Sequence, residues 1–383
     1  MDIYDLTEAT ARTVLSDSND YPAAHGTSTD SSPAATPPGL DIADVWQFVL
    51  SARKLDRYKA TSFVPTGTVF GIGEGACYRV DKGEENIDIY GGGGKVLAIK
   101  YLKATEHPSK KVDDVESRRS IETVLRELRV LTHKPIKECE NIVQLLGYGS
   151  RAVGEHISLY LVAEFAVHGT LKGYLGKKRK ADENVSIVEK IKFCSDIANG
   201  LAALHACGVA QGDVKLENTL VCETNSGEIV AKLSDFGHSI LDDGSRYIGT
   251  TIFNPQEVRQ GKLTSTSRED HYKCDIFSYG LMVWEIVQDG RRYVDSRHRE
   301  DPTTWLNGLP RDDLLRLALL ATQELIPADT SKITLLQKVL ESSLRDDPDD
   351  RVTIREIMKL FNLEREFVAK EKSDSIHEVE KYC

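Results

Sequence analysis

The 383-residue sequence predicts an α+β protein with a β-rich front and a mainly helical back. From Phe63 to Lys100, short β-prone stretches are broken by glycines, and the run Gly91 to Gly94 reads as a hairpin tip. Two more strand-like runs follow, IVQLLGYG from Ile142 and ISLYLVAEF from Ile157. After Val185 the apolar residues recur at helical spacing, at about 187–207, 273–289, 311–324 and 333–344. Such a change of hydrophobic period separates a layer that pairs strands from one that packs helices. Between the two, Ile121 to His133 has helical spacing, and no internal repeat is visible.

The flanks differ in character. Ser16 to Leu40 is rich in Ser, Thr, Asp, Ala and Pro, so residues 1–40 are expected to form a disordered arm. Asp41 suits the N-cap of a helix to about Tyr58, with Ile42, Val45, Trp46, Val49 and Leu50 on one face. This extension, over 41–62, is expected to pack on the β-rich part, a partner-binding or autoregulatory helix being the other reading. Residues 362–383 form a highly charged tail.

Composition narrows the function classes. The net charge of -11 argues against a general nucleic-acid binder or a protein drawn to anionic membranes, both of which favour basic surfaces. The same acidic balance points to basic or neutral peptides as substrates. Seven cysteines are scattered without a Cys-x-x-Cys pair, which fits reduced thiols of the cytoplasm, or of the nucleus, better than a disulfide framework or zinc site. The opening MDIYDLTEAT has neither a basic start nor an apolar run, so no signal peptide is expected. No apolar stretch approaches the roughly 18 residues that span a bilayer.

The chemistry is concentrated in QGDVKLENTLV, from Gln211 to Val221, followed by SDFG from Ser234 to Gly237. Phosphoryl transfer needs a carboxylate to orient an attacking hydroxyl, a cation near the moving group, and an amide with a second carboxylate to hold Mg²⁺. Asp213, Lys215, Asn218 and Asp235 supply one of each. The pair of motifs, D-x-K-x-x-N and then D-F-G, resembles the catalytic core of eukaryotic-type protein kinases. That resemblance covers about Val69 to Leu360. It implies a bilobal fold, with an N-lobe and hinge over 63–166 and a C-lobe over 167–361, ATP and Mg²⁺ as cofactors, and a protein substrate.

Carried residue by residue, the resemblance makes Asp213 the group that receives the substrate proton. Lys215 neutralises charge on the transferring phosphoryl group, and Asn218 and Asp235 are the metal ligands. Lys100, ending the strand VLAIK, is similar to the lysine that contacts the α/β-phosphates. Its implied partner is Glu127 in VLRELRVL, with Glu122 as the fallback. The spacer between them carries HPSKKVDDVESRRS, read as a surface insertion. The run Gly73-Glu74-Gly75-Ala76-Cys77-Tyr78-Arg79-Val80 resembles the phosphate-cradling hairpin, with Gly73 and Gly75 lining phosphate and Val80 over the adenine. LYLVAEFAVHG resembles the interlobe hinge, so the backbones of Glu164 and Ala166 would bond the adenine edge. Ala163 then stands at the gatekeeper position and predicts an unusually open pocket behind it.

Several positions depart from the pattern. Tyr78 replaces the third cradle glycine, and Pro255-Gln256 replaces the usual Ala-Pro before Glu257. Gln211-Gly212 replaces the usual His-Arg before Asp213, which removes the receptor for a phosphorylated activation segment and is expected to loosen the packing of Phe236. Activity independent of phosphorylation at Thr250 and Thr251 is therefore expected. Lys215 resembles the lysine of Ser/Thr members, Thr250 would steady Asp213 and Lys215, Glu257 should pair with Arg351, and Asp275 should anchor the catalytic loop. The departures leave open a pseudokinase scaffold that binds nucleotide weakly or not at all, and a small-molecule kinase of related fold is a third reading.

Overall fold

The computed structural model describes residues 61–62, 70–74, 78–85, 95–102, 114–153, 156–224, 226–263, 267–294, 296–298, 300–325 and 330–362. The expected arm over 1–40, the helix from Asp41, the Gly91–Gly94 tip and the tail beyond 362 lie outside them, as does Gly75. The β-rich part is a six-stranded sheet built from β1 (Thr61–Ser62), β2 (Phe70–Glu74), β3 (Tyr78–Glu85), β4 (Lys95–Leu102), β5 (Leu145–Val153) and β6 (His156–Glu164). Its strand order is β1-β5-β6-β4-β3-β2, and every pairing except β1 with β5 is antiparallel.

Alternation along β4 sorts its residues between two faces. Leu97, Ile99 and Tyr101 are buried on one face with Tyr160 and Val162 of β6, forming a small core of their own. Ala98 and Lys100 therefore face the other way. The register continues that face across the sheet, since Val80 lies opposite Lys100 and Ala163 opposite Ala98.

Helix α1 (Asp114–Thr132) is longer than the sequence reading allowed. The polar stretch taken as a surface insertion ends in its first turns, because Asp114 to Ser120 continues the helix. Val124, Leu128 and Leu131 are buried at i, i+4, i+7 spacing, and Glu127 shares their face at 1% exposure.

In the helical part, α2 (Leu171–Lys180) is capped by Thr170 and α3 (Ile187–Ala206) by Ser186, each side chain accepting from the N–H three residues on. A hairpin of β7 (Thr219–Glu223) and β8 (Ile229–Leu233) lies between α3 and the helix α4 (Arg268–Val287). Helix α4 is the structural axis: every residue from Cys274 to Val287 is buried, as in a helix surrounded by others. It starts five residues before the predicted 273, where Ser267 accepts from the Asp270 N–H and caps a polar first turn without apolar period. Helices α5 (Pro302–Gly308), α6 (Asp313–Thr322), α7 (Thr330–Ser343) and α8 (354–362) complete this part. Among the described residues no helix is long and apolar enough to cross a membrane.

Candidate active site

The sheet register sets out the first side of the site. Gly73 of β2 lies opposite Val80 of β3, which lies opposite Lys100 of β4, with a register shift between Gly71 and Gly73 that bends the hairpin. Residues directly opposite on a sheet share a face. Val80, Ala98, Lys100 and Ala163 thus form one continuous surface, with the small Ala98 and Ala163 side by side.

The Lys100 amine meets the Glu127 carboxylate at 2.7 Å, with only 16% and 2% of the two side chains exposed. A buried lysine stem needs such a partner, because an unpaired charge in that setting is strongly unfavourable. The same amine lies 3.9 Å from the Asp235 carboxylate, which is 39% exposed. Glu127, rather than the fallback Glu122, is the residue brought to Lys100. Asp235 itself sits at φ 59°, a left-handed conformation that few side chains adopt, just before a 3₁₀ turn over Phe236–His238. Strain of this kind, about 1–3 kcal/mol, persists only where surrounding structure fixes it. Here Phe236 is fully buried beside it, and Arg126 of α1 donates to the Gly237 carbonyl at 2.9 Å.

Asp213 carries the densest set of contacts. Lys215 Nζ donates to its Oδ2 at 2.6 Å and to Thr250 Oγ1 at 2.8 Å, while Thr250 Oγ1 donates to Asp213 Oδ1 at 2.6 Å. Asn218 Nδ2 donates to the Asp213 carbonyl and carboxylate at 2.9 and 2.8 Å, which turns Asn218 Oδ1 away as the acceptor atom of that amide. Burial works against ionisation of Asp213, but the Lys215 charge, the hydrogen bonds from Lys215 and Thr250, and His238 outweigh it. The carboxyl is held below its ordinary range. Ser234, next to Asp235, donates from both its N–H and its hydroxyl to the Asn218 carbonyl, each at 2.9 Å. That tie fixes the Asp-Phe-Gly segment against the loop of Asp213.

The departure at Gln211-Gly212 has a structural basis. Gln211 is fully buried; its Oε1 accepts from the Asp213 N–H at 2.6 Å, and its Nε2 donates weakly to the carbonyls of Asp235 and Ser234 at 3.4 and 3.5 Å. Instead of loosening Phe236, as expected from the missing histidine, Gln211 bridges the two loops by polar contacts. Gly212 stands at φ +80°, and a Cβ there would lie 2.2 Å from the His238 carbonyl oxygen. No arginine fits that position without moving backbone. Beneath both, Asp275 accepts from the Gln211 and Gly212 N–H groups at 2.7 and 3.0 Å.

At the expected hinge, Glu164 ends β6 with its side chain held by Lys232 at 2.9 Å and by the Gln144 N–H at 2.8 Å. Among the described residues the Ala166 N–H makes no hydrogen bond, while its carbonyl accepts from Gly169. A donor beside the face of Val80 and Ala163 is therefore available to a planar acceptor edge.

A protein kinase domain family model matches residues 71–361. The chain belongs to the protein kinase family. It is 28% identical over 204 residues to Fer-related kinase 1 of Caenorhabditis elegans, covering 52% of this chain and 44% of that one. A probable serine/threonine-protein kinase of Dictyostelium discoideum is 29% identical over 180 residues, 47% of this chain and 32% of the relative. The Aurora kinase of Schizosaccharomyces pombe is 31% identical over 205 residues, 53% and 50% of the two chains. The chain thus spans half or less of the length of these relatives.

The remaining landmarks of this kinase domain also come together. Arg351, with no exposed side-chain surface, makes two hydrogen bonds to the Glu257 carboxylate at 2.6 and 3.1 Å. The segment before Glu257 is fastened to α4 by Ser278, which donates to the Phe253 carbonyl at 2.9 Å. Sequence reasoning missed the two residues that complete the Asp275 site, His205 and Tyr247, each 2.9 Å from its carboxylate. It also missed Arg126. None of these belongs to a short motif, and only their distances single them out.

Proposed function

We propose that this chain is an ATP- and Mg²⁺-dependent protein kinase that phosphorylates Ser and Thr hydroxyls of protein substrates. The observation that supports it best is the unbroken set of contacts joining Lys100, Glu127 and Asp235 on one side to Asn218, Asp213, Lys215 and Thr250 on the other.

In this reading Lys100, oriented by Glu127, holds the α/β-phosphates, and the Ala166 N–H with the Glu164 carbonyl takes the adenine edge. Gly73 approaches the phosphates, and Val80 covers the adenine. The donors offered for a metal are one partly exposed carboxylate and one amide oxygen, hard ligands that suit Mg²⁺ completed by phosphate oxygens. Bound Mg²⁺ would neutralise charge on the phosphate oxygens. Asp213 accepts the acceptor hydroxyl's proton as the new O–P bond forms and the β–γ bridging bond breaks. Its depressed carboxyl keeps it ionised and oriented, so it positions the hydroxyl more than it deprotonates it in advance. Lys215, 2.6 Å from Asp213, balances charge on the phosphoryl group in flight.

Lys215 in that position and the Thr250 contact favour alcohol hydroxyls over phenols. Tyr78 and Gln211-Gly212, which favour a pseudokinase scaffold, remove none of these groups. The five described cysteines are free thiols, in keeping with a reducing compartment such as the cytoplasm. The test is transfer of label from γ-labelled ATP to arrayed Ser, Thr and Tyr peptides by purified protein. Labelling of Ser and Thr peptides supports the reading. Tyr-only labelling overturns the acceptor class, and Mg-ATP binding without any transfer replaces the enzyme with a pseudokinase.

A further inference from the structure

Beside the acceptor site lies a cleft of about 780 Å³ with a charge opposite to that of the whole chain. Its walls include Lys172 and Arg179 of α2, Ile252 of the segment before Glu257, and Arg291, Arg292 and Tyr293 just after α4. Four cations line it, and no Asp or Glu is among the described residues that do.

Internal partners account for only half of that charge. Lys172 and Arg292 share the buried Glu285, at 3.3 Å each, and Arg292 also meets Glu217 at 2.5 Å. Arg179 donates to a neutral acceptor, the Asp289 carbonyl, at 2.5 Å, while the Asp289 carboxylate is taken by Lys190 at 2.9 Å. Arg291 is exposed and has no ion-pair partner among the described residues. Among the described residues, Glu285 and Glu217 thus face the four cations, leaving the Arg179 and Arg291 charges without a carboxylate. A guanidinium makes paired hydrogen bonds to carboxylate or phosphate oxygens, and the half-buried Arg179 and the exposed Arg291 present two of them to the same cleft.

The position of the cleft says which molecule brings the anion. Ile252 is two residues from Thr250, whose hydroxyl bonds Asp213, and Tyr293 donates from its hydroxyl to the Ile252 carbonyl. Ile252 lies in a 3₁₀ turn over Thr251–Phe253 that Thr250 precedes, so the Thr250 and Ile252 backbones are at most about 7 Å apart. A peptide whose hydroxyl rests at Asp213 therefore passes the cleft within a few residues.

We propose that this cleft binds an acidic side chain of the protein substrate, Asp, Glu or a phosphorylated residue, a few positions from the acceptor hydroxyl. The proposal rests on the kinase reading above for its acceptor site. It replaces the expectation of basic or neutral substrates drawn from net charge, because the local sign of one cleft, not the sum over the chain, sets which peptide is attracted.

The experiment uses the full chain and two fluorescein-labelled Ser peptides, one with Asp flanking the acceptor and one with Asn in their place. Binding is followed by anisotropy at low and high salt. The expected result is at least about tenfold tighter binding of the Asp peptide, falling to the Asn level in Arg291→Glu and in Arg179→Ala/Arg291→Ala, with Asn-peptide affinity unchanged. Arg291 is exposed, so its variant should keep the wild-type unfolding midpoint. Equal affinity for the two peptides, or a preference that survives both variants, overturns the proposal. Label transfer from ATP is measured on the same samples. A retained Asp preference without transfer to either peptide would refute the kinase reading while supporting the cleft.

Discussion

Replacing Gln211 tests whether this chain has rebuilt the junction between its two catalytic loops. In Gln211→Ala the buried Asp213 N–H loses its only side-chain acceptor, at 2.6 Å, and an unsatisfied buried donor costs about 1–3 kcal/mol. The two Nε2 contacts at 3.4 and 3.5 Å are near the limit for hydrogen bonds and add about 0.5 kcal/mol each at most. The expected destabilisation is therefore about 1–4 kcal/mol, read as a lowered urea midpoint at unchanged slope. Because Asp213 and Asp235 lose a shared support, kcat should fall about 10–100-fold, with KM for ATP changing much less. Gln211→Glu separates the two contributions. It keeps an acceptor for the Asp213 N–H but sets a carboxylate against the carbonyls of Ser234 and Asp235. It should thus impair kcat although its size is unchanged. A Gln211→Ala protein with under about 0.5 kcal/mol of destabilisation and wild-type kcat would refute the reasoning.

Three other outcomes follow from the same geometry. Arg351→Met should destabilise the chain by about 1–3 kcal/mol, because it leaves the half-buried Glu257 carboxylate without the two hydrogen bonds of its cation. A double-mutant cycle with Glu257→Gln should recover a coupling of at least about 1 kcal/mol, and additive effects would contradict the pair. Ala163→Met should fill the space beside Ala98 and lower sensitivity to bulky adenine-site inhibitors by about tenfold or more, whereas an enzyme insensitive in both forms would contradict the hinge assignment. Thr251→Ala should leave activity within about twofold, since Gly212 offers no cation to a phosphate there, while Thr250→Ala should cost about tenfold through its bonds to Asp213 and Lys215. Equal losses at the two threonines, measured as kcat on one peptide, would argue against that division.

Much of this architecture was legible because period and chemistry agree along the chain. The alternation of Leu97, Ile99 and Tyr101 fixes the face of Lys100, and the apolar spacing around Glu127 fixes its side of α1. What failed was local. The polar turn at Arg268–His271 hid the start of α4, although the Ser267 cap was present, and Asp114–Ser120 looked like loop because polar residues also suit an exposed helical turn. The role of Gln211 was not readable, since hydrogen-bond geometry, not residue type, decides whether a substitution loosens or bridges. Gly212 could be read as a lost arginine, but its φ of +80° and the nearby His238 carbonyl appear only in three dimensions. The basic cleft joins α2 to residues after α4, so no sequence window contains it.

The most direct test of the central claim compares wild type with Asp213→Asn in single-turnover transfer from labelled ATP to a Ser/Thr peptide, with nucleotide binding measured on the same protein. The isosteric amide should keep folding and ATP affinity while removing all but a residual fraction, at least about a hundredfold, of the transfer rate. Undiminished transfer by the variant would contradict the assignment of the site.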